Sequence, residues 1–114
     1  MIGLSIEAKD DMLSVFAGKL FALALFSGDE EINDALYNRQ EVMFTSPVGE
    51  GVRYVQNTEM IRFEGFNGRH LVDHWAVIDL GGVLRARYRI TDPLEVSSVM
   101  DCKFRPGELR IGLP

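Results

Sequence analysis

Two histidines four residues apart, His70 and His74, are the first residues of this 114-residue chain whose types and spacing suggest chemistry. On a helix that spacing would present both imidazoles on one face for a zinc ion. The run around them, HLVDHWAVI, alternates with period two, which is a strand, and there four residues separate Cα atoms by ~13 Å, too far for one ion. Asp29, Glu31 and Asn33 alternate as calcium ligands do. The sixth position of that loop is Asp34 instead of glycine and the twelfth is Gln40 instead of glutamate, so the expectation is a solvated acidic loop. Ser97, Ser98 and Cys102 lie in no nucleophile motif, and no glycine loop opens a helix to cradle phosphate. Cys102 alternates with Met100 and Phe104 and reads as a small core residue. No catalytic constellation, metal or cofactor is expected, and elimination leaves a binding or building role.

The densest chemical feature is a row of guanidiniums. Arg85, Arg87 and Arg89 alternate with Leu84, Ala86, Tyr88 and Ile90, a strand with one cationic and one apolar face. Gly81-Gly82 joins it to the preceding strand as a hairpin turn needing positive φ. A loop of the two glycines sets Trp75 opposite Tyr88, Val77 opposite Ala86 and Asp79 opposite Leu84; a three-residue loop would turn one strand over. The Trp75–Tyr88 pair should contribute ~0.5–1 kcal/mol beyond burial and pin the register. On the other face Val72, Ala76 and Ile78 lie among the arginines and His74. Two readings follow: the arginines lie along their apolar neighbours and reach water, or the face is a subunit interface with arginine around an apolar centre.

Composition narrows the classes. The net charge of −5 disfavours binding a nucleic-acid backbone, which relies on clustered Lys and Arg. The longest apolar run, residues 20–26, is far short of the ~20 residues that span a membrane. Asp10 and Asp11 before it do not fit a signal peptide. A single cysteine forms no internal disulfide. The length suits one domain, residues 1–114, that buries about two-thirds of its unfolded surface.

These residues need elements to position them. Residues 5–17 read as a short amphipathic helix with Ser5 as N-cap, Glu7 in the first turn, and Gly18 after its end; Ile6, Met12, Leu13, Val15 and Phe16 gather on one side. Residues 20–26 form a strand buried on both faces. Strands follow at 37–44, 52–55 and 58–63, then the hairpin, then runs at 94–96, 100–104 and 109–113, separated by Pro- and Gly-containing turns. The segment 65–68 is a turn that places Phe66 at the surface. About eight short strands after one helix predict a mainly β fold: an antiparallel β-sandwich or jelly-roll-like barrel with an N-terminal segment (1–18) and a β-rich body (19–114).

In order, EAKDDMLSVFAGK (7–19), LALFSGD (23–29), YNRQEVMF (37–44), NTEMIRF (57–63) and VDHWAVID (72–79) resemble the landmarks of small virion structural proteins of tailed bacteriophages, often labelled tail-fibre-like or minor tail proteins. The acidic loop after Asp29, Gly-rich in such proteins, and the spacing of His74 to Trp75 depart from that pattern. The resemblance implies a virion component, made in the host cytoplasm, that contacts the major capsid protein or tail proteins and assembles as a homo-oligomer, a trimer above all. A compact domain without repeats suits a capsid cement or decoration protein better than a fibre shaft. Arg85, Arg87, Arg89 and His74 would then serve self-association, and the N-terminal segment with Ile6, Met12 and Phe16 would meet the shell. A tail-associated or fibre-base component is the alternative. A glycan-binding β-sandwich module is a second, with Phe66 the best exposed aromatic, since Trp75 points inward by parity.

Overall fold

The chain folds as α1 (Ile6–Leu13), β1 (Leu20–Ser27), β2 (Glu30–Glu31), β3 (Gln40–Met43), β4 (Arg53–Gln56), β5 (Ile61–Phe63), β6 (His70–Ile78), β7 (Leu84–Val96), β8 (Cys102–Phe104) and β9 (Arg110–Leu113). This computed structural model describes residues 5–50 and 52–113; the start of the expected shell-facing segment, residues 1–4, and Gly51 of the predicted Pro-Gly loop lie outside the described residues. The fold is mainly antiparallel β with one short N-terminal helix, as the alternating runs predict.

The main sheet has the order β2-β1-β6-β7, with β3 beside β2 on the same edge of β1. Two ribbons, β4-β9 and β5-β8, complete the layers. Strand parity sorts β1 and β6. Leu23 pairs with Val77 and Leu25 with Trp75, and these residues enter a core shared with Val55, Phe63, Phe104 and Ile111 of the ribbons and with Leu109, just before β9. Phe16, Phe21 and Phe44 meet with ring centroids 5.6–6.4 Å apart in tilted and edge-on geometry, which favours their quadrupoles over stacking. Asn57, 1% exposed, staples the ribbons: its Nδ2 donates to the carbonyls of Glu59 and Arg105, and its Oδ1 accepts from Leu109 N–H.

The helix differs from expectation. Ser5 caps it, its hydroxyl accepting from Ala8 N–H, but it ends at Leu13 and a turn carries the chain to Gly18 (φ +67°). Lys9 and Leu13, one turn apart, are its buried residues, while Phe16 reaches the core from the turn. Ile6, Met12 and Val15 are each more than half exposed, so the predicted apolar face is only partly used. Its support is this same chain: α1 packs on β4 and β9, and Asp10 takes a two-pronged pair from Arg53 at 2.9 Å. That pair holds the Asp10 carboxyl below the usual carboxylate range.

The hairpin is corrected in three places. Its loop is the three residues Leu80, Gly81 and Gly82, closed by Asp79 N–H to the Val83 carbonyl and by Gly82 N–H to the Asp79 carbonyl, and Gly82 (φ +86°) alone supplies positive φ. Leu84 consequently stands opposite Ile78, not Asp79, and a bulge at Arg85 restores the expected pairs Val77–Ala86 and Trp75–Tyr88, the last with rings 4.9 Å apart and stacked. At the far end residues 90–93 of β7 stand opposite Asp73 alone. This second irregularity accommodates Pro93, which has no N–H to donate, and turns Val72 from the arginine side into the core opposite Leu94. The predicted break before residue 94 is therefore a bend within one strand, β7.

Candidate functional site

The face of β1, β6 and β7 turned away from the core carries most of the candidate residues. Ala22 pairs with Ile78, Ala24 with Ala76 and Phe26 with His74; Ala76 and His74 pair in turn with Arg87 and Arg89. Ala24 and Ala76 have no exposed surface and Ile78 has 4%, although none belongs to the core cluster. Arg87 lies over the Phe26 ring at 5.4 Å, donates to the Gly28 carbonyl, and stands 3.7 Å from Asp29. The stem thus shields apolar surface while the head is held at the β1–β2 turn.

His74 is tied to its neighbour: Nδ1 lies 2.8 Å from Asp73 Oδ1, which also accepts Gly28 N–H at 2.9 Å. The imidazole and that N–H hold the Asp73 carboxyl below its ordinary value. Arg85 is not in the row. The bulge directs it to Asp79 at 2.8 Å, and together with Val15, Phe16, Lys19 and Phe21 the pair lines a cavity at the hairpin end. Arg89 makes no ion pair or hydrogen bond through its side chain among the described residues. Structure therefore brings His74, Arg87 and Arg89 together and separates Arg85 from them.

Of the remaining candidates, Ile6 and Met12 are exposed on α1, whereas Phe16 is a core residue. Phe66 is 1% exposed. Gly65, with φ +74°, lets the chain reverse so that the ring tucks inward near His70, and Phe66 offers no stacking platform for a sugar. Cys102 is buried, and burial together with Glu108 pushes its thiol up to about 12, so it is no nucleophile at neutral pH.

The acidic loop is more structured than its composition suggests. Glu30 and Glu31 pair with β1 as β2. Glu31 accepts a bidentate pair from Arg39 at 2.8–2.9 Å and the Tyr37 hydroxyl at 2.7 Å, while that hydroxyl accepts Leu25 N–H. Arg39 chiefly lowers the Glu31 pKa; burial chiefly raises that of Tyr37. Asp34, its side chain 2% exposed, is a hub that sequence reading missed. It accepts N–H groups of Leu36, Asn67 and Gly68 at 2.8–3.0 Å and meets His70 Nε2 at 2.7 Å, and the three amides hold its carboxyl well below the usual range. Only the bond to Leu36, an Asx turn, is local enough to be foreseen. His70 and His74 thus serve different carboxylates. Among the described residues, no group of three or more His, Cys, Asp or Glu converges to hold a metal, and no helix is long and apolar enough to cross a membrane.

A second exposed region adjoins the same sheet face. Leu20, Met43 and Met60, each 37–55% exposed, line a shallow cavity of about 110 Å³ with Glu41 and Glu59. The two carboxylates make no ion pair among the described residues. This apolar floor with an acidic rim was not singled out in sequence, because its parts come from β1, β3 and the segment before β5. No protein-family model matches the chain, and neither do any curated protein or solved structure.

Proposed function

We propose that this chain is a structural protein of a bacteriophage virion, a cement or decoration protein that binds the outside of the capsid and stabilises it through protein–protein contacts. The observation that carries the reading is the outward face of the main sheet: an apolar centre flanked by charged side chains, several of them without an ion pair among the described residues, which suits a protein surface better than a small ligand. The resemblance of successive segments to small virion proteins supplies the context. Ile6 and Met12, exposed on α1, are consistent with a shell-facing N-terminal segment. Self-association belongs to the same proposal, with Arg87, Arg89 and His74 on the participating face.

Imaging of virions assembled with and without the protein tests this. The expected result is loss of density from the capsid surface and shells that rupture at lower temperature. Loss from the tail would transfer the protein to the tail-associated alternative. Loss from neither place would overturn the virion reading.

A further inference from the structure

The chain has asparagines at positions 33, 38, 57 and 67, and of these Asn67 alone is followed by glycine. An Asn-Gly pair carries its own chemistry. The glycine nitrogen can attack the carbonyl carbon of the asparagine side chain, and a residue without a Cβ offers that approach no hindrance. Asn67 and Gly68 are both exposed, and the Asn67 side chain makes no hydrogen bond among the described residues. The electrophile is therefore open to water, whereas the nucleophile is held. Gly68 N–H donates to Asp34 Oδ2 at 2.8 Å, and Asn67 N–H meets both oxygens of the same carboxylate at 2.9 and 3.0 Å. Asp34 is anchored in turn by Leu36 N–H and by His70, and its side chain is 2% exposed. Its carboxyl lies well below the usual range, so it is an anion at neutral pH. The Nε2 of His70 faces that anion with its proton and is not available as a base.

We propose that Asn67 is a deamidation site which the buried carboxylate of Asp34 holds in check. In the reaction the Gly68 nitrogen gives its proton to water or hydroxide, and its electron pair bonds to Cγ of Asn67, closing a five-membered succinimide. The bond from Cγ to Nδ2 breaks, and ammonia leaves with a proton taken from solvent. Water then opens the ring at either carbonyl, giving aspartate or an isoaspartate whose backbone runs through the former side chain. The whole change consumes one water and releases one ammonia, with no oxidant or cofactor. Asp34 opposes the first step in two ways. The N–H must leave a charge-assisted hydrogen bond before its nitrogen can turn toward Cγ. The nitrogen anion would also form beside a carboxylate that little water screens. Losing one hydrogen bond to a charged group corresponds to a rate factor of about ten or more. The fold also sets the consequence of conversion. Isoaspartate lengthens by one atom the path between the two amide nitrogens that Asp34 collects, and either product adds a negative charge beside the hub. The same turn buries Phe66, 1% exposed, so conversion at Asn67 loosens the seat of that ring.

Incubation of the full chain in mildly alkaline buffer, followed by peptide mass spectrometry that resolves asparagine, aspartate and isoaspartate, is the test. In the folded native chain Asn67 should convert at least about tenfold more slowly than in the same chain unfolded in guanidinium. Asp34→Asn removes the charge and should speed conversion of Asn67 about tenfold in the folded state, while Asn38, exposed and outside the hub, keeps its rate. Circular dichroism and melting report whether that variant is folded. Gly68→Ala meets only ordinary contacts, at 3.7 Å from His70 Nε2 and 3.8 Å from Asp34 Oδ2, and added to Asp34→Asn it should suppress conversion again. Equal rates in the folded and unfolded native chain, or a folded Asp34→Asn protein no faster than the native one, would overturn the proposal. If Asp34→Asn does not fold, amide exchange of Gly68 in the native chain decides: protection of about tenfold or more is expected, and exchange at the rate of a free amide would overturn it.

Discussion

The two faces of the main sheet are made from the same strands and differ in what finishes them. On the inner face Leu23, Leu25, Trp75 and Val77 meet the ribbons and the chain's own aromatic cluster. On the outer face Ala24 and Ala76 are as inaccessible as any core residue, yet neither joins the core cluster, and the Arg87 guanidinium of the same sheet lies over the adjacent Phe26 ring. Burial inside is enforced by packing against the ribbons; outside, the long side chain seen reaching over apolar surface is that of Arg87. Full burial in one chain is therefore not proof of a core, and the distinction lies in which atoms do the covering.

That contrast predicts a gradient of mutational effects. Phe44→Ala, which empties a site 2% exposed within the phenylalanine cluster, should cost ~3–5 kcal/mol in urea unfolding. Asn57→Ala leaves one buried N–H and two carbonyls without their partner and should cost ~2–3 kcal/mol by the same measurement, with the β4-β9 ribbon losing amide-exchange protection first. A loss under about 1 kcal/mol for either would make the ribbon side as loosely finished as the outer face.

Asp34 sharpens the comparison through pH. Its folded pKa lies below the ordinary 3.8, so the stabilisation it supplies is present above that value and is lost as the pH falls toward the depressed one. Melting temperature should therefore decline more steeply on acidification in the native chain than in Asp34→Asn, and parallel curves would show that the carboxylate hub contributes no proton linkage. Gly82→Ala has room for its methyl group but holds φ at +86°, so a loss of ~1 kcal/mol is expected from backbone strain alone. The smallest effect belongs to the outer face: Arg87→Ala should lower monomer stability by less than ~1 kcal/mol, because its ion pair is long and partly solvated. A larger loss would mean that the arginine stem, not a partner, is the permanent cover of Ala76 and Phe26.

The residues that sequence reading placed correctly share a local cause. The Ser5 cap, the Trp75–Tyr88 pair and the inward Tyr88, Ala86 and Ile90 follow from short-range periodicity and capping chemistry. Its misplacements share another. Phe66 was expected on a turn surface because Gly65 and Gly68 surround it, but what lies beneath that turn, the Asp34 hub with its cluster of amides, comes from more than thirty residues away. Val72 changed faces because an irregularity on its partner strand adds an odd number of residues, and parity counts only within an uninterrupted ladder. Arg85 left the row for the same reason at the other end of the hairpin.

By itself, then, the sequence determined the class of the fold, the existence of most strands and which residues alternate, since these depend on a period of two and on turn residues that act within a few positions. Only the tertiary structure decided where that alternation slips, that Asp34 gathers amides from a distant turn, and that Glu41, Glu59, Leu20, Met43 and Met60 join the arginine strand on opposite edges of one face. Strand order is the physical reason: neighbours across a sheet are chosen by long-range pairing, and no local pattern in one strand encodes which strand will lie beside it.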